Sequence, residues 1–310
     1  MIISASRRTD IPAFYSEWFL NRLEQGFVLV RNPMNPQMVS KVNLAPDLID
    51  CIVFWTKNPR PLMKHLHRLT DYRYYFLFTV TPYGRDLERN LPPKEEILDT
   101  FMELSDEIGS ERVIWRYDPI LLGGGVDEGY HRDFFEFAAR RLQGRTERCI
   151  ISFIDMYKKC ERNLKGFNIE ELNSEEMTRM VKILHLPAKR YGIEMVTCAE
   201  EIDLSMVGVD HGKCIDGELI SRICGYPLEV KKDGHQRKTC GCVESIDIGA
   251  YNTCNHICLY CYANSDPRRV EQNMALHNPD SPLLLGELSG DEKVTERLIE
   301  SFKKKQKELF

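Results

Sequence analysis

Cys51-Ile-Val-Phe-Trp-Thr-Lys-Asn58 and Tyr74-Tyr-Phe-Leu-Phe-Thr-Val-Thr81 are two short apolar runs that both end in polar residues. Neither run alternates strictly between polar and apolar residues, as a strand with one solvated face does. Uninterrupted apolar runs of this length fit strands buried on both faces, the usual situation in a parallel sheet. Four further runs, at residues 2–6, 112–117, 149–154 and 194–197, read the same way. Amphipathic stretches lie between them. Phe14, Trp18 and Leu23 share one helical face, and Ile97, Phe101, Leu104 and Ile108 share another, with Gly109 as its stop. A third is built on Met177, Met180, Val181, Leu184 and Ala188, opened by Asn173 and Glu176 at capping-box spacing and shortened or kinked by Pro187. Residues 27–30 and 38–42 flank two Asn-Pro turns and predict an inserted hairpin.

Six β/α repeats predict an α/β fold with a parallel sheet. We expect a (β/α)6 partial TIM-like barrel over residues 1–202. A Cys-rich segment over 203–266 would fold over the barrel mouth, followed by a linker and a C-terminal helix over 267–310. Parallel α/β sheets bind ligands beyond the carboxyl ends of their strands. The residues at those ends are Arg7 and Asp10, Lys57, Arg116 and Asp118, Asp155, and Cys198 with Glu200. As a ring they are candidate catalytic and binding residues. Arg and Lys suit an anionic group, and Asp and Glu suit hydroxyl groups.

Composition narrows the class. Charged residues are 29% and hydrophobic residues 43%, values of an ordinary globular protein rather than a disordered one. The net charge of −5 weighs against a nucleic-acid partner. No apolar run is long enough for a membrane span, and the N-terminal residues turn polar too early for a signal peptide. The expected compartment is the cytoplasm.

Eight of the eleven cysteines fall between Cys198 and Cys261. In a reducing compartment such clustering reads as metal or cofactor binding. Cys254, Cys258 and Cys261 stand at C-x3-C-x2-C spacing, so three thiolates can converge on one inorganic core. A four-iron cluster takes four ligands, so three local cysteines leave one iron open. Structural zinc prefers C-x2-C pairs, and the three-residue gap argues against it here. Cys198, Cys214, Cys240 and Cys242 make a second, four-ligand set, for a second [4Fe-4S] cluster or for zinc. Cys224, Cys51 and Cys149 read as packing residues, with Cys160 isolated. His211 and His256 read as hydrogen-bonding or surface residues rather than ligands.

The Cys254, Cys258, Tyr260, Cys261 constellation resembles the signature of the radical S-adenosylmethionine (SAM) superfamily. That resemblance implies a (β/α)6 partial barrel and a [4Fe-4S] cluster on the three cysteines. It also implies SAM chelated at the open iron, with Tyr260 near the adenine. Reductive cleavage of SAM would start radical chemistry on a substrate, using an electron donor such as flavodoxin or ferredoxin. The motif order is permuted, because here the cysteine loop follows all six strands instead of the first. The stretch from Cys198 to Asn264 is also similar to a bacterial domain of unknown function, family 1848. The similarity rests on Cys240-Gly-Cys242, Asp247-Ile-Gly249 and Tyr251 to Ala263, and extends to Ser4 through Asp10. The competing reading is a non-catalytic barrel stapled by zinc or iron–sulfur, acting as a binding or redox-sensing module.

Overall fold

The structure is a computed structural model, and it describes residues 1–304. The six expected strands are present as β1 (Ile2–Ala5), β4 (Cys51–Thr56), β5 (Tyr74–Thr79), β6 (Val113–Ile120), β7 (Arg148–Phe153) and β8 (Glu194–Thr197). The expected hairpin is β2 (Phe27–Asn32) with β3 (Asn35–Asn43). Two short strands, β9 (Asp210–His211) and β10 (Ile246–Asp247), extend the main sheet at its two edges. The sheet order is β10-β1-β4-β5-β6-β7-β8-β9, and every adjacent pair is parallel. The helices are α1 (Ile11–Phe14), α2 (Ser16–Gln25), α3 (Arg60–Met63), α4 (Lys94–Ile108), α5 (Glu128–Arg141), α6 (Lys158–Asn163), α7 (Ser174–Arg190), α8 (Gly217–Cys224) and α9 (Pro267–Ala275).

Strand periodicity assigns the two faces. Phe54, Phe76, Phe78, Trp115 and Tyr117 point to the side of the helices and form the larger core. Phe54 stacks on Phe76 across β4 and β5 with ring centroids 4.8 Å apart, and Phe78 stacks on Phe101 of α4 at 5.0 Å. Burying each such ring is worth roughly 1.5–3 kcal/mol. Ile2, Val53, Tyr75, Leu77, Ile114, Ile150 and Val196 point the other way. That face is covered by Cys214, Ile215, Leu219, Ile220 and Cys242 from the Cys-rich segment. The buried Tyr75 hydroxyl donates to the Cys214 carbonyl at 2.6 Å, fixing the segment to the sheet.

Local signals work as expected in most places. Gly109 ends α4 with φ of 94°, and Asn173 with Glu176 forms a complete capping box on α7. Pro187 neither ends nor shortens α7, which continues to Arg190. The region after residue 266 departs from expectation. The stretch read as a linker holds α9, opened by the Asp266 side chain accepting from the Arg269 N–H. The expected terminal helix does not form over its described residues. Instead β11 (Lys293–Glu296) pairs in parallel with β3. The physical reason is the free edge of β3, whose backbone groups a strand can satisfy and a helix cannot. Phe302, read as part of that helix, packs on the inner face, and Leu298 is 98% exposed. Residues 305–310 of the expected helix lie outside the described residues.

Candidate functional site

The carboxyl ends of β1, β4 and β5 converge on the loop carrying Cys254, Cys258 and Cys261. Asp10 organises the first contact. Its Oδ1 accepts from the Ala13 N–H at 3.0 Å and caps α1, while its Oδ2 accepts from the Lys57 N–H at 2.7 Å. The same Oδ2 lies 2.8 Å from Nε2 of buried His256, inside the cysteine loop. His256 therefore holds the loop to the strand end, and its Nδ1 is buried without a partner. Further anchors are Tyr15 Oη donating to the Thr253 carbonyl at 2.6 Å and Tyr262 Oη donating to the Arg7 carbonyl at 2.6 Å. The Cys160 thiol donates to the Tyr260 carbonyl at 3.2 Å. Asn264 closes the loop on itself through the Cys254 carbonyl at 2.8 Å.

The second contact centres on Glu88, which spacing did not single out. It lies in the segment after β5 and its side chain is fully buried. Lys57 Nζ sits 2.8 Å from its Oε1, Lys94 pairs with its Oε2, and the Thr81 and Tyr260 hydroxyls donate to Oε1. Burial alone would raise the Glu88 pKa, but Lys57 and Lys94 together bring it down to about 2. The backbone of the same segment pairs with the cysteine loop. Leu259 N–H donates to the Leu87 carbonyl at 2.9 Å, and Glu88 forms an antiparallel bridge with Cys258. Tyr260 is thus buried, with its ring edge-on to Tyr83 at 5.5 Å and its hydroxyl on Glu88.

Cys258 is buried and Cys254 and Cys261 are half-buried, and desolvation raises the pKa of each thiol. Lys57 and Lys94 oppose this at Cys258, and the Ala263 N–H donates to Cys261 Sγ at 3.4 Å. A buried neutral thiol is a poor free nucleophile. Iron binding would deprotonate it, and the nearby ammonium groups and N–H donors suit the resulting thiolates. The donor set therefore fits a cluster at this loop. Among the described residues, no three His, Cys, Asp or Glu side chains already stand in ligating geometry around a single ion.

The remaining predicted residues divide in two. Arg7 and Arg116 flank Trp55 with their guanidinium carbons 5.2 and 4.8 Å from the ring centroid. Arg116 pairs with Asp118. Both arginines face the second cysteine set, in which Cys214 Sγ is 3.1 Å from Cys198 Sγ. Farther out, Asp155 pairs with Arg237 at 2.6 Å on the surface. The Glu200 carboxylate accepts from the Phe153 N–H at 2.9 Å, and burial pushes its pKa up to about 7. Sequence reasoning gave Asp247 no role beyond its motif. It accepts from the Ser4 and Ser6 hydroxyls and from the Arg7 N–H, tying β10 to the end of β1. The only signal for it in sequence was the Asp-Ile-Gly motif. Glu88 had none, because its partners are remote along the chain. The basic group at Arg141, Arg145 and Arg148 is paired with Asp99, Asp106, Glu194 and Asp216, away from this edge.

No helix of the described residues is long and apolar enough to cross a membrane. No curated protein and no solved structure shows a significant match to this chain. A family model does match, over residues 2–263, spanning β1 to the end of the cysteine loop. The chain belongs to the family described as a domain of unknown function, DUF1848.

Proposed function

We propose that this chain is a radical SAM-type enzyme with a permuted motif order, working in the cytoplasm. Cys254, Cys258 and Cys261 would hold a [4Fe-4S] cluster. The observation that carries this reading is a single, largely buried loop presenting three thiols, that of Cys258 buried, at the carboxyl edge of a parallel sheet, beside Lys57 and Lys94. The sheet is read as an open partial barrel, with β9 and β10 as its two unpaired edges and the Cys-rich segment as its filling. When bound, the cluster would supply the electron that cleaves SAM, replenished by a donor of flavodoxin or ferredoxin type.

The chain's own residues would act as follows. Asp10 and His256 hold the loop against the strand end. Lys57 and Lys94 keep Glu88 ionised and offset the charge of the thiolates. Arg7 and Arg116 offer guanidinium donors to a carboxylate, of SAM or of substrate. Asp118, Asp155 and Glu200 are the acceptors on the far side of the mouth for hydroxyl groups. Tyr260 braces the loop through Glu88.

Anaerobic reconstitution tests the reading. We expect reducible [4Fe-4S] absorbance and release of 5′-deoxyadenosine from SAM, both lost in a Cys254→Ala/Cys258→Ala/Cys261→Ala variant. A colourless protein that binds only zinc would overturn it in favour of a metal-stapled binding module.

A further inference from the structure

Four thiols lie together on the inner face, apart from the loop just described. Cys198 follows β8, Cys214 follows β9, and Cys240 and Cys242 come from the segment before β10. Cys198 and Cys214 are 3.1 Å apart at sulfur. Cys242 Sγ accepts from the Ile215 N–H at 3.3 Å, and Cys240 and Cys242 are buried in the same cluster as Cys214. The four cysteines thus share one buried patch of the inner face, with Cys198 and Cys214 already in contact, although among the described residues no three of them yet surround a single point in ligating geometry. Among the described residues no sulfur–sulfur contact of this kind joins Cys254, Cys258 and Cys261.

Spacing separates two kinds of inorganic core. One tetrahedral ion with metal–sulfur bonds near 2.3 Å keeps its sulfurs on the order of 3.8 Å apart. A four-iron cluster places each cysteine on a separate iron, so its sulfurs stand wider. The 3.1 Å separation of Cys198 and Cys214 matches two ligands of a single ion and is too close for ligands on two separate irons.

The surroundings are built for close approach and for negative charge. A Cβ on Gly212 would lie 2.4 Å from Val196 Cγ2, and one on Gly241 would lie 3.0 Å from Lys213 Cγ. Gly212 lets the chain before Cys214 press against β8, and Gly241 lets the Cys240–Cys242 segment press against the 212–213 backbone and side chain. Four thiolates around a divalent ion carry a net charge of −2. The positive charges of Arg7 and Arg116 lie close enough to favour thiolate at Cys242 and at Cys198 and Cys214 respectively. Arg7 Nη2 and Arg116 Nε are buried without other partners, leaving N–H donors on the same side.

We propose that Cys198, Cys214, Cys240 and Cys242 bind one tetrahedral divalent ion of the zinc type, stapling the ends of β8 and β9 to the 240–242 segment. This site does not depend on the radical SAM reading. The test is metal analysis of the full chain purified anaerobically, with zinc-edge X-ray absorption. We expect one zinc per chain with four sulfurs at about 2.3 Å. A Cys240→Ser/Cys242→Ser variant should lose it, and the Cys254→Ala/Cys258→Ala/Cys261→Ala variant should keep it. Because the staple supports the fold, cobalt(II) loading of that triplet variant gives a second readout. Tetrahedral cobalt–thiolate bands should appear although the cluster ligands are gone. Cluster absorbance and iron that persist in the triplet variant without zinc would overturn the proposal, as would a Cys198–Cys214 disulfide without bound metal. Zinc present with no iron in the wild-type chain would instead sink the radical SAM reading and leave this one standing.

Discussion

At the scale of single residues, the candidate site depends on a carboxylate that never reaches solvent. Glu88 is enclosed by Lys57, Lys94, Thr81 and Tyr260, and its own backbone bridges to Cys258. Removing one member of a buried charge cluster leaves the others unpaired, at a cost of about 3–5 kcal/mol. Glu88→Gln should therefore lower Tm sharply. It should also reduce iron uptake at the triplet even at temperatures where the chain stays folded. A variant with unchanged Tm would show that Lys57 and Lys94 find solvent or other partners. The pairing itself is robust to acid. The folded pKa of Glu88 is depressed, so its contribution is present above the unfolded carboxylate range and is lost only as pH falls through about 2.

At the scale of elements, what could be read in advance depended on the range of the deciding interactions. β4 and β5 were readable because both faces of each are buried, which demands apolar runs that local sequence displays. The hairpin of β2 and β3 was readable from its turn chemistry. β9 and β10 were not, because two residues carry no period, and their pairing is dictated by the neighbouring strands. β11 was misread because Val294 and Leu298 mimic helical spacing, while the open edge of β3 lies some 250 residues away in sequence. The cysteine triplet was legible from spacing. Its anchoring to the 87–90 segment was not, because that pairing is long-range backbone hydrogen bonding. Gly249 shows how such an element is locked. A Cβ there would lie 2.1 Å from Ser6 Oγ, beside the Asp247 hydrogen bonds that join β10 to β1. Gly249→Ala should thus displace β10, lower Tm and reduce iron loading, whereas Gly109→Ala has open space around it and should affect only stability through its positive φ. Comparable iron per chain in both variants would argue against β10 as the positioning element. Helix α8 makes a parallel case: Ile220 is fully buried on the inner face, and Ile220→Ala should cost about 2–5 kcal/mol by denaturant unfolding.

At the scale of the whole molecule, a buried histidine and a half-buried carboxyl make opposing contributions to the dependence of stability on pH. His131 lies in the helical core, with Nδ1 on the Tyr117 hydroxyl at 2.7 Å and Nε2 on the Leu121 carbonyl at 2.8 Å. Burial lowers its pKa to about 4, from an unfolded value of 6.5. Its folded form is neutral, so its contribution is present above that unfolded value and is lost as pH falls toward 4. Glu200, at the end of the sheet, is shifted the other way. Burial raises its pKa to about 7 from an unfolded value of 4.5, so the folded chain holds an extra proton between those values. Stability from this group declines as pH rises through that window, because the folded state must then bury a charge. Glu200→Gln keeps an oxygen for the Phe153 N–H and removes the titration. It should raise Tm relative to wild type at pH 8 and have little effect at pH 5. His131→Asn should show the reverse pattern, with its cost largest near neutral pH and shrinking toward pH 4. Thermal unfolding of the three proteins from pH 4 to pH 8 checks both. A Glu200→Gln advantage that is constant across the series would mean that this carboxyl is ionised throughout. Its place at the sheet edge would then be that of a fixed acceptor, with no proton to give near neutral pH.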